Sequence, residues 1–208
     1  MSKILNSYEA QHFLEKYIDL PKSQLVNVLS EIKIQPPLVL KIISDQAIHK
    51  TEIKGVRIVN SNEQLVKEFN NLQILSKKIN IKGILVQEFI EGEQLIIGIK
   101  KDPVFNHVIL FGLGGIYTEL LKDTSIRKCP ITEKDALEMI NSLKSKELFY
   151  NFSNKKLNTK LLIKTLVNIS KIPSKHKDIQ ELDINPFILN EKEGKAVDIR
   201  IVFNSLQS

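Results

Sequence analysis

Apolar residues recur at helical spacing near the start of the chain. Asn6 or Ser7 stands as a candidate cap, Glu9 falls in the first turn, and Ala10, Phe13, Leu14 and Tyr17 share one face, which predicts an amphipathic helix. A second helical stretch is expected after Pro21, ended by Pro36-Pro37, and the β-rich run Leu38 to Ile43 predicts a buried strand. A polar loop spans 44–55, Val56 to Val59 alternates as a strand, and Ser61 with Gln64 makes a capping box ahead of Leu65, Phe69 and Leu72. Ile84–Ile90 and Leu95–Lys100 predict a hairpin about Glu91-Gly92-Glu93, with His107–Phe111 as a further strand. Thr132 and Asp135 open a helix bearing Ala136, Met139, Ile140 and Leu143, and Asn158 to Ile172 is helical up to Pro173. Ile179 to Ile184 alternates cleanly, and Lys195 to Phe203 reads as a last strand after the turn at Glu193-Gly194. Helices lie between and after strands without regular βαβ alternation, which predicts an α+β (mixed α/β) architecture in two lobes with a seam at 87–93.

Composition narrows the function classes. With 208 residues, 42% hydrophobic and 26% charged, the chain can bury a sizeable core. Its apolar runs are interrupted by charge well short of the roughly 18–20 residues a membrane span needs. Met1 to Ser7 resembles no secretory leader, so a cytoplasmic protein without a membrane partner is expected. The single cysteine, Cys129, excludes an internal disulfide or a cysteine zinc cage. A net charge of +6 suits an anionic partner but is read as diffuse; with 6% aromatics and no Trp, nucleic acid is disfavoured against a nucleotide or another phosphorylated ligand.

Three segments carry candidate chemistry. Ser44 to Glu52 places His49 beside Lys50: a neutral imidazole is a nucleophile near neutral pH, and an adjacent ammonium attracts phosphoryl groups, although a solvated loop has the same composition. The loop is not a Walker A motif, lacking the glycine before Lys-Thr. Phe111-Gly112-Leu113-Gly114-Gly115 puts glycines at a strand end, where backbone amides can approach a phosphate or simply make a tight turn. In Glu181-Leu182-Asp183-Ile184-Asn185-Pro186, alternation puts Glu181, Asp183 and Asn185 on one strand face, and Asp198 follows between apolar neighbours. Such oxygen donors suit Mg²⁺ bound with nucleotide phosphates, while a solvated strand face would show the same alternation.

Taken together, SYEAQHFLEKY, PLVLKIISDQAIHKTEIKGV, ILVQEF, LIIGIKKDPVF, ILFGLGGIYTELLKDTSIRKCPI, ELDINPF and AVDIRI resemble, in order, the ATP-grasp (β) subunit of ADP-forming acyl-CoA synthetases, the acetate–CoA ligases. The resemblance implies a single ATP-grasp domain over 1–208. Its approximate lobes are 1–88, with the histidine loop, and 89–208, with the glycine-rich and metal-ligand segments, together clasping ATP or ADP. It implies a reversible reaction in which acyl-CoA, ADP and phosphate give acid, CoA and ATP, with a CoA-binding α subunit as partner in a hetero-oligomer. His49 matches the histidine that takes a phosphoryl group from the α subunit and passes it to ADP, with Asp183 as an acid facing it. Lys41 matches the lysine on the nucleotide phosphates, and Gln87, Glu88, Phe89 and Ile90 match the backbone that holds adenine. Gly114, Gly115 and Arg127 fall in the phosphate-binding role, and Asn185 and Asp198 match magnesium ligands. Departures from the pattern are Lys54 in place of a glycine, Gln94 for a glutamate, Asn106-His107 for Gly-Pro, and Phe149 to Ser153 where an Arg-Gly element is expected. The alternatives are a nucleotide-binding regulatory subunit without turnover and a succinyl-CoA synthetase-like ligase subunit.

Overall fold

The computed structural model describes residues 2–44, 55–77, 81–115, 123–150 and 157–204. In chain order its elements begin with β1 (Lys3–Leu5), α1 (Ser7–Leu14), β2 (Ser23–Val26), β3 (Leu38–Ile43), β4 (Val56–Val59), α2 (Asn62–Ser76) and β5 (Gly83–Glu88). Then follow β6 (Glu93–Asp102), β7 (Asn106–Leu113), β8 (Thr124–Lys128), α3 (Glu133–Asn141), α4 (Thr159–Ser170), α5 (Ile172–Lys175), β9 (Ile179–Leu189), β10 (Gly194–Ala196) and β11 (Ile199–Phe203). They form two compact units, Pro21–Ile90 and a larger one made of Met1–Leu20 with Glu91–Ser208. The division falls inside the expected seam, but residues 1–20 go with the second part of the chain, unlike the expected 1–88 and 89–208 lobes. The reason is that β1 pairs with β11, Lys3 opposite Phe203.

The smaller unit is an antiparallel sheet in the order β2-β5-β3-β4, with α2 laid on β3 and β4. Phe69 and Leu72 of α2 and Leu38, Leu40 and Ile42 of β3 are fully buried in its core. Ser61 caps α2 by accepting the Gln64 N–H at 3.2 Å, while the Gln64 amide oxygen reaches back to the Asn60 N–H at 2.9 Å. The helix expected after Pro21 is instead the strand β2 and a 3₁₀ turn at Leu29–Glu31. Leu25, Leu29 and Ile32 have helical spacing, but ladder hydrogen bonds along β5, with Val26 opposite Ile84, override it.

The larger unit is a seven-stranded antiparallel sheet in the order β1-β11-β9-β6-β7-β8, with β10 also on β9. Its core joins β6, β7 and β9 to Ala136, Met139 and Ile140 of α3, Leu162 and Leu166 of α4, and Ala10 and Leu14 of α1. Asn6 with Glu9, and Thr132 with Asp135, form complete capping boxes at α1 and α3. The expected hairpin of 84–90 with 95–100 is not formed, because β5 and β6 lie in different sheets. Gly92 is required there for close approach: a Cβ on it would lie 2.5 Å from the Leu189 carbonyl oxygen. The hairpin is made by β6 and β7, where Asp102 Oδ1 accepts the Val104 and Phe105 N–H groups, each at 2.8 Å, and Asn106 adopts φ 67°. Strand β9 runs through Asn185-Pro186 to Leu189, and the final strand is broken at Val197-Asp198. Among the described residues, no helix is long and apolar enough to cross a membrane.

Tyr17 and His176 fasten the chain after α1 to the end of α5 through a 2.8 Å hydrogen bond between Tyr17 Oη and His176 Nε2, with the Phe13 ring edge-on to the imidazole at 4.8 Å. Burial, and then the charges of Lys16 and Lys175 against the opposing Asp178, hold the His176 pKa below its ordinary value. The folded state therefore prefers the neutral imidazole. Its contribution is expected in full above about pH 6.5 and to be lost as pH falls through the lower folded value. Thermal unfolding followed by circular dichroism between pH 5 and 8 (about the imidazole range) should show this slope, and His176→Gln should flatten it.

Candidate functional site

In the smaller unit, β3 holds Lys41 between β4 and β5, opposite Val56 and Leu85. Its side chain is 4% exposed, and its Nζ donates to Gln87 Oε1 at 2.9 Å. An ammonium withdrawn from water this far needs a fixed acceptor, which Gln87 on β5 supplies. Glu88 is tied at both ends to Lys22: its Oε1 accepts the Lys22 N–H at 2.8 Å, and its own N–H donates to the Lys22 carbonyl at 2.9 Å. The Phe89 N–H donates to the Pro37 carbonyl at 3.1 Å, its ring is 37% exposed, and Ile90 is half-buried. The N–H groups of Glu88 and Phe89 are thus already spent on the protein. His49, Lys50 and Lys54 lie outside the described residues.

In the larger unit, Asp183 and Asn185 lie midway along β9, and Asp198 comes beside them from the break after β10. The Asn185 N–H donates to the Asp198 carbonyl at 3.0 Å, and the Val197 N–H to the Pro186 carbonyl at 3.0 Å, so the break after β10 stands beside Asn185-Pro186. Asp198 Oδ1 accepts the Ile199 N–H at 3.1 Å and the Ser7 hydroxyl at 3.3 Å. Asp183 has Gly98 of β6 opposite it on one side and Arg200 of β11 on the other. Gly98 adds no side chain next to the carboxyl; a Cβ there would sit 4.0 Å from Asp183 Oδ1. Burial first, then the negative charges of Glu181 and Asp198, raise the Asp183 pKa against the pull of Arg200. Arg200 itself spans to Glu181 at 2.7 Å, an exposed and screened pair. Among the described residues, no group of three or more His, Cys, Asp or Glu side chains is placed to hold a metal. Asn185 and Asp198 offer an amide and a carboxylate oxygen, hard donors that fit a Mg²⁺ ion completed by waters and phosphates.

The glycine-rich segment is built by β6 and β7. The Gly114 N–H donates to the Gln94 carbonyl at 2.8 Å, and a Cβ on Gly114 would lie 2.9 Å from the Leu95 carbonyl carbon. Gly115 adopts φ +63°, and Gln94 Oε1 sits 2.7 Å from where its Cβ would be. The departure at Gln94 therefore covers Gly115 with a neutral amide. Arg127 on β8 turns its guanidinium to the Ile126 carbonyl at 2.9 Å and is not among the groups gathered at Asp183. At position 107, the imidazole is 2% exposed and its Nε2 bonds the Ile179 carbonyl at 2.8 Å, a core role for this departure. Ser7, read only as a helix start, reaches Asp198, and Asp123 holds a turn; neither contact leaves a local pattern in sequence.

The fold is that of an ATP-grasp domain, whose family model matches residues 1–203. The chain is 35% identical to the acetate–CoA ligase [ADP-forming] II subunit beta of Pyrococcus furiosus, over 94% of this chain and 89% of that one. It is 38% identical to the 4-hydroxybutyrate–CoA ligase [ADP-forming] of Nitrosopumilus maritimus over 93% of this chain, and spans about 30% of that relative's length. The dinucleotide forming acetyl-coenzyme A synthetase 1 of Ca. Korarchaeum cryptofilum, solved with coenzyme A, Ca-AMPCP and HgCl+, superposes with a TM-score of 0.91 at 34% identity, covering 97% of this chain and 94% of that one. Another structure of the same protein, with coenzyme A and Mg-AMPPCP, has its phosphohistidine segment pointing towards the nucleotide binding site (TM-score 0.85). This chain belongs to the ATP-grasp family, in the branch that holds the β subunits of ADP-forming acetate–CoA ligases.

Asp123 secures the exit of α3. Its Oδ1 accepts the Lys144 N–H and its Oδ2 the Ser145 N–H, each at 2.8 Å. Burial acts to raise its pKa, but the Ser145 and Lys144 donors and the Lys144 charge outweigh it and hold the carboxyl below the ordinary range. Asp123→Asn retains one acceptor and is expected to lower unfolding free energy in urea titrations by about 1–3 kcal/mol at neutral pH. Because the folded pKa is depressed, the native contribution is present above about pH 4 and lost as pH falls, so the two proteins should converge in acid.

Proposed function

We propose that the chain is the nucleotide-binding β subunit of an ADP-forming, acetate-type CoA ligase. It converts acyl-CoA, ADP and phosphate reversibly into acid, CoA and ATP, together with an α partner chain that binds CoA. The observation that carries this reading is the meeting of Asp183, Asn185 and Asp198 midway along β9, with an N–H···O bond between the backbones of Asn185 and Asp198 and a carboxyl group beside them whose charge is disfavoured. The likeness to whole β subunits over 94% of the chain supports it.

His49 is the proposed nucleophile. Its imidazole nitrogen forms an N–P bond as the N–P bond of a phosphohistidine on the α partner breaks. An oxygen of ADP then takes the phosphoryl group, the His49 N–P bond breaks, and free imidazole returns. Asp183 acts as the second catalytic group. Lys41 holds nucleotide phosphate oxygens, the 87–90 segment holds the base, and Gly115 and Arg127 attract the transferred phosphoryl group through an amide and a charge, with Gly114, whose own N–H is held by Gln94, shaping the turn between them. Asn185 and Asp198 would hold Mg²⁺, which when bound neutralises phosphate charge.

Intact mass after incubation with Mg-ATP, alone and with the α partner, tests the assignment. One acid-labile phosphoryl group should be gained by the native chain and not by His49→Ala. No gain in either condition, with native circular dichroism, would remove the catalytic role and leave a nucleotide-binding regulatory subunit.

A further inference from the structure

Ser7 is the first residue of α1 and is 6% exposed. The helix has no need of its hydroxyl as a cap. Asn6 Oδ1 already accepts the Tyr8 and Glu9 N–H groups at 3.1 and 3.0 Å, and Glu9 Oε2 returns to the Asn6 N–H at 3.0 Å. Alanine, the better helix former, would serve α1 as well at this position. The serine hydroxyl is instead donated to a residue 191 positions away, Asp198, whose Oδ1 accepts it at 3.3 Å.

That hydrogen bond fixes how Asp198 presents its carboxylate. Oδ1 also accepts the Ile199 N–H at 3.1 Å. Two donors on one oxygen oppose rotation of the carboxyl group, and they leave Oδ2 as the oxygen offered to a cation. The backbone of Asp198 is held separately, its carbonyl accepting the Asn185 N–H at 3.0 Å. Ser7 is itself anchored: Leu5 of β1 pairs with Ile201 of β11, and the Phe13 ring of α1 meets Phe203 edge-on with ring centres 5.5 Å apart. Helix α1 is therefore fastened to the strand that begins one residue after Asp198. From this we infer that Ser7 is a positioning residue for Mg²⁺, its hydroxyl orienting the Asp198 carboxylate for the ion. The inference rests on the reading above that Asp198 holds Mg²⁺, and it extends that site to the first turn of the N-terminal helix. Hydrogen-bond partners that orient a metal's ligands are worth about 10–100-fold in metal affinity.

Mn²⁺, used in place of Mg²⁺ and titrated into the full chain saturated with ADP, tests it through the electron paramagnetic resonance signal of the free ion, against an ADP control without protein. The native chain is compared with Ser7→Ala, Ser7→Thr and Asp198→Asn. Asn6 keeps the helix cap in each, so native circular dichroism is expected. Ser7→Ala should raise the Mn²⁺ dissociation constant about tenfold, and Ser7→Thr, which keeps the hydroxyl, should hold the native value. A native constant in Ser7→Ala beside a weakened Asp198→Asn would overturn the inference and leave the metal role of Asp198 standing. Equal weakening in Ser7→Ala and Ser7→Thr would also overturn it, since the hydroxyl would then not be the cause. Native constants in both Ser7→Ala and Asp198→Asn, or a native chain that holds no Mn²⁺ beyond the ADP control, would overturn the metal reading and the inference together.

Discussion

Strand β9 is committed on both edges, to β6 on one side and to β11 and β10 on the other, and the larger unit is assembled around it. Its inward residues Leu182 and Ile184 are fully buried. Because side chains alternate, the same register that buries these residues turns Glu181, Asp183 and Asn185 to the other face; a slip of one position would exchange core for carboxylates. Core packing therefore holds the acidic group in place. The ladder to β6 is irregular between Leu95 and Ile97, and the ladder to β11 stops at Asp198, so regular pairing gives way where the oxygen donors collect.

The smaller unit poses the opposite problem, a cation inside an apolar sheet. Six consecutive residues of β3 are buried, Lys41 among them, and only a placed acceptor makes that arrangement tolerable. Gln87 supplies it without adding a charge. The acidic cluster and the buried lysine are thus supported by different cores, one around β9 and one around Phe69.

Much of this was legible because it is local. The caps at Asn6 and Thr132, the buried run of β3 and the period of Ile179 to Ile184 follow from spacing alone. What stayed hidden depends on partners distant in sequence. Ser23–Val26 becomes a strand only because Ser23 to Val26 pair with Gln87 to Ile84; Gly92 is small because Leu189 is there; and Ser7 reaches Asp198. The side chain of Gln87 left no signal either, since its meaning depends on Lys41 across the sheet. Residues 45–54, with His49, were read from the chemistry of their side chains and from resemblance, and lie outside the described residues.

The pairing of Lys3 with Phe203 has a consequence for biosynthesis. Residues 21–90 carry their whole core in one stretch, so that unit can close as soon as it has left the ribosome. The larger sheet must wait, since its strand β1 is made well before its partner β11, with the whole smaller unit between them in the chain. During that interval the edge of β1 has no ladder to join, and the loop between the two ends must be closed at an entropic cost that grows only slowly with its length. Insertions within residues 21–90 that respect its own core would therefore burden the final closure of the larger sheet very little.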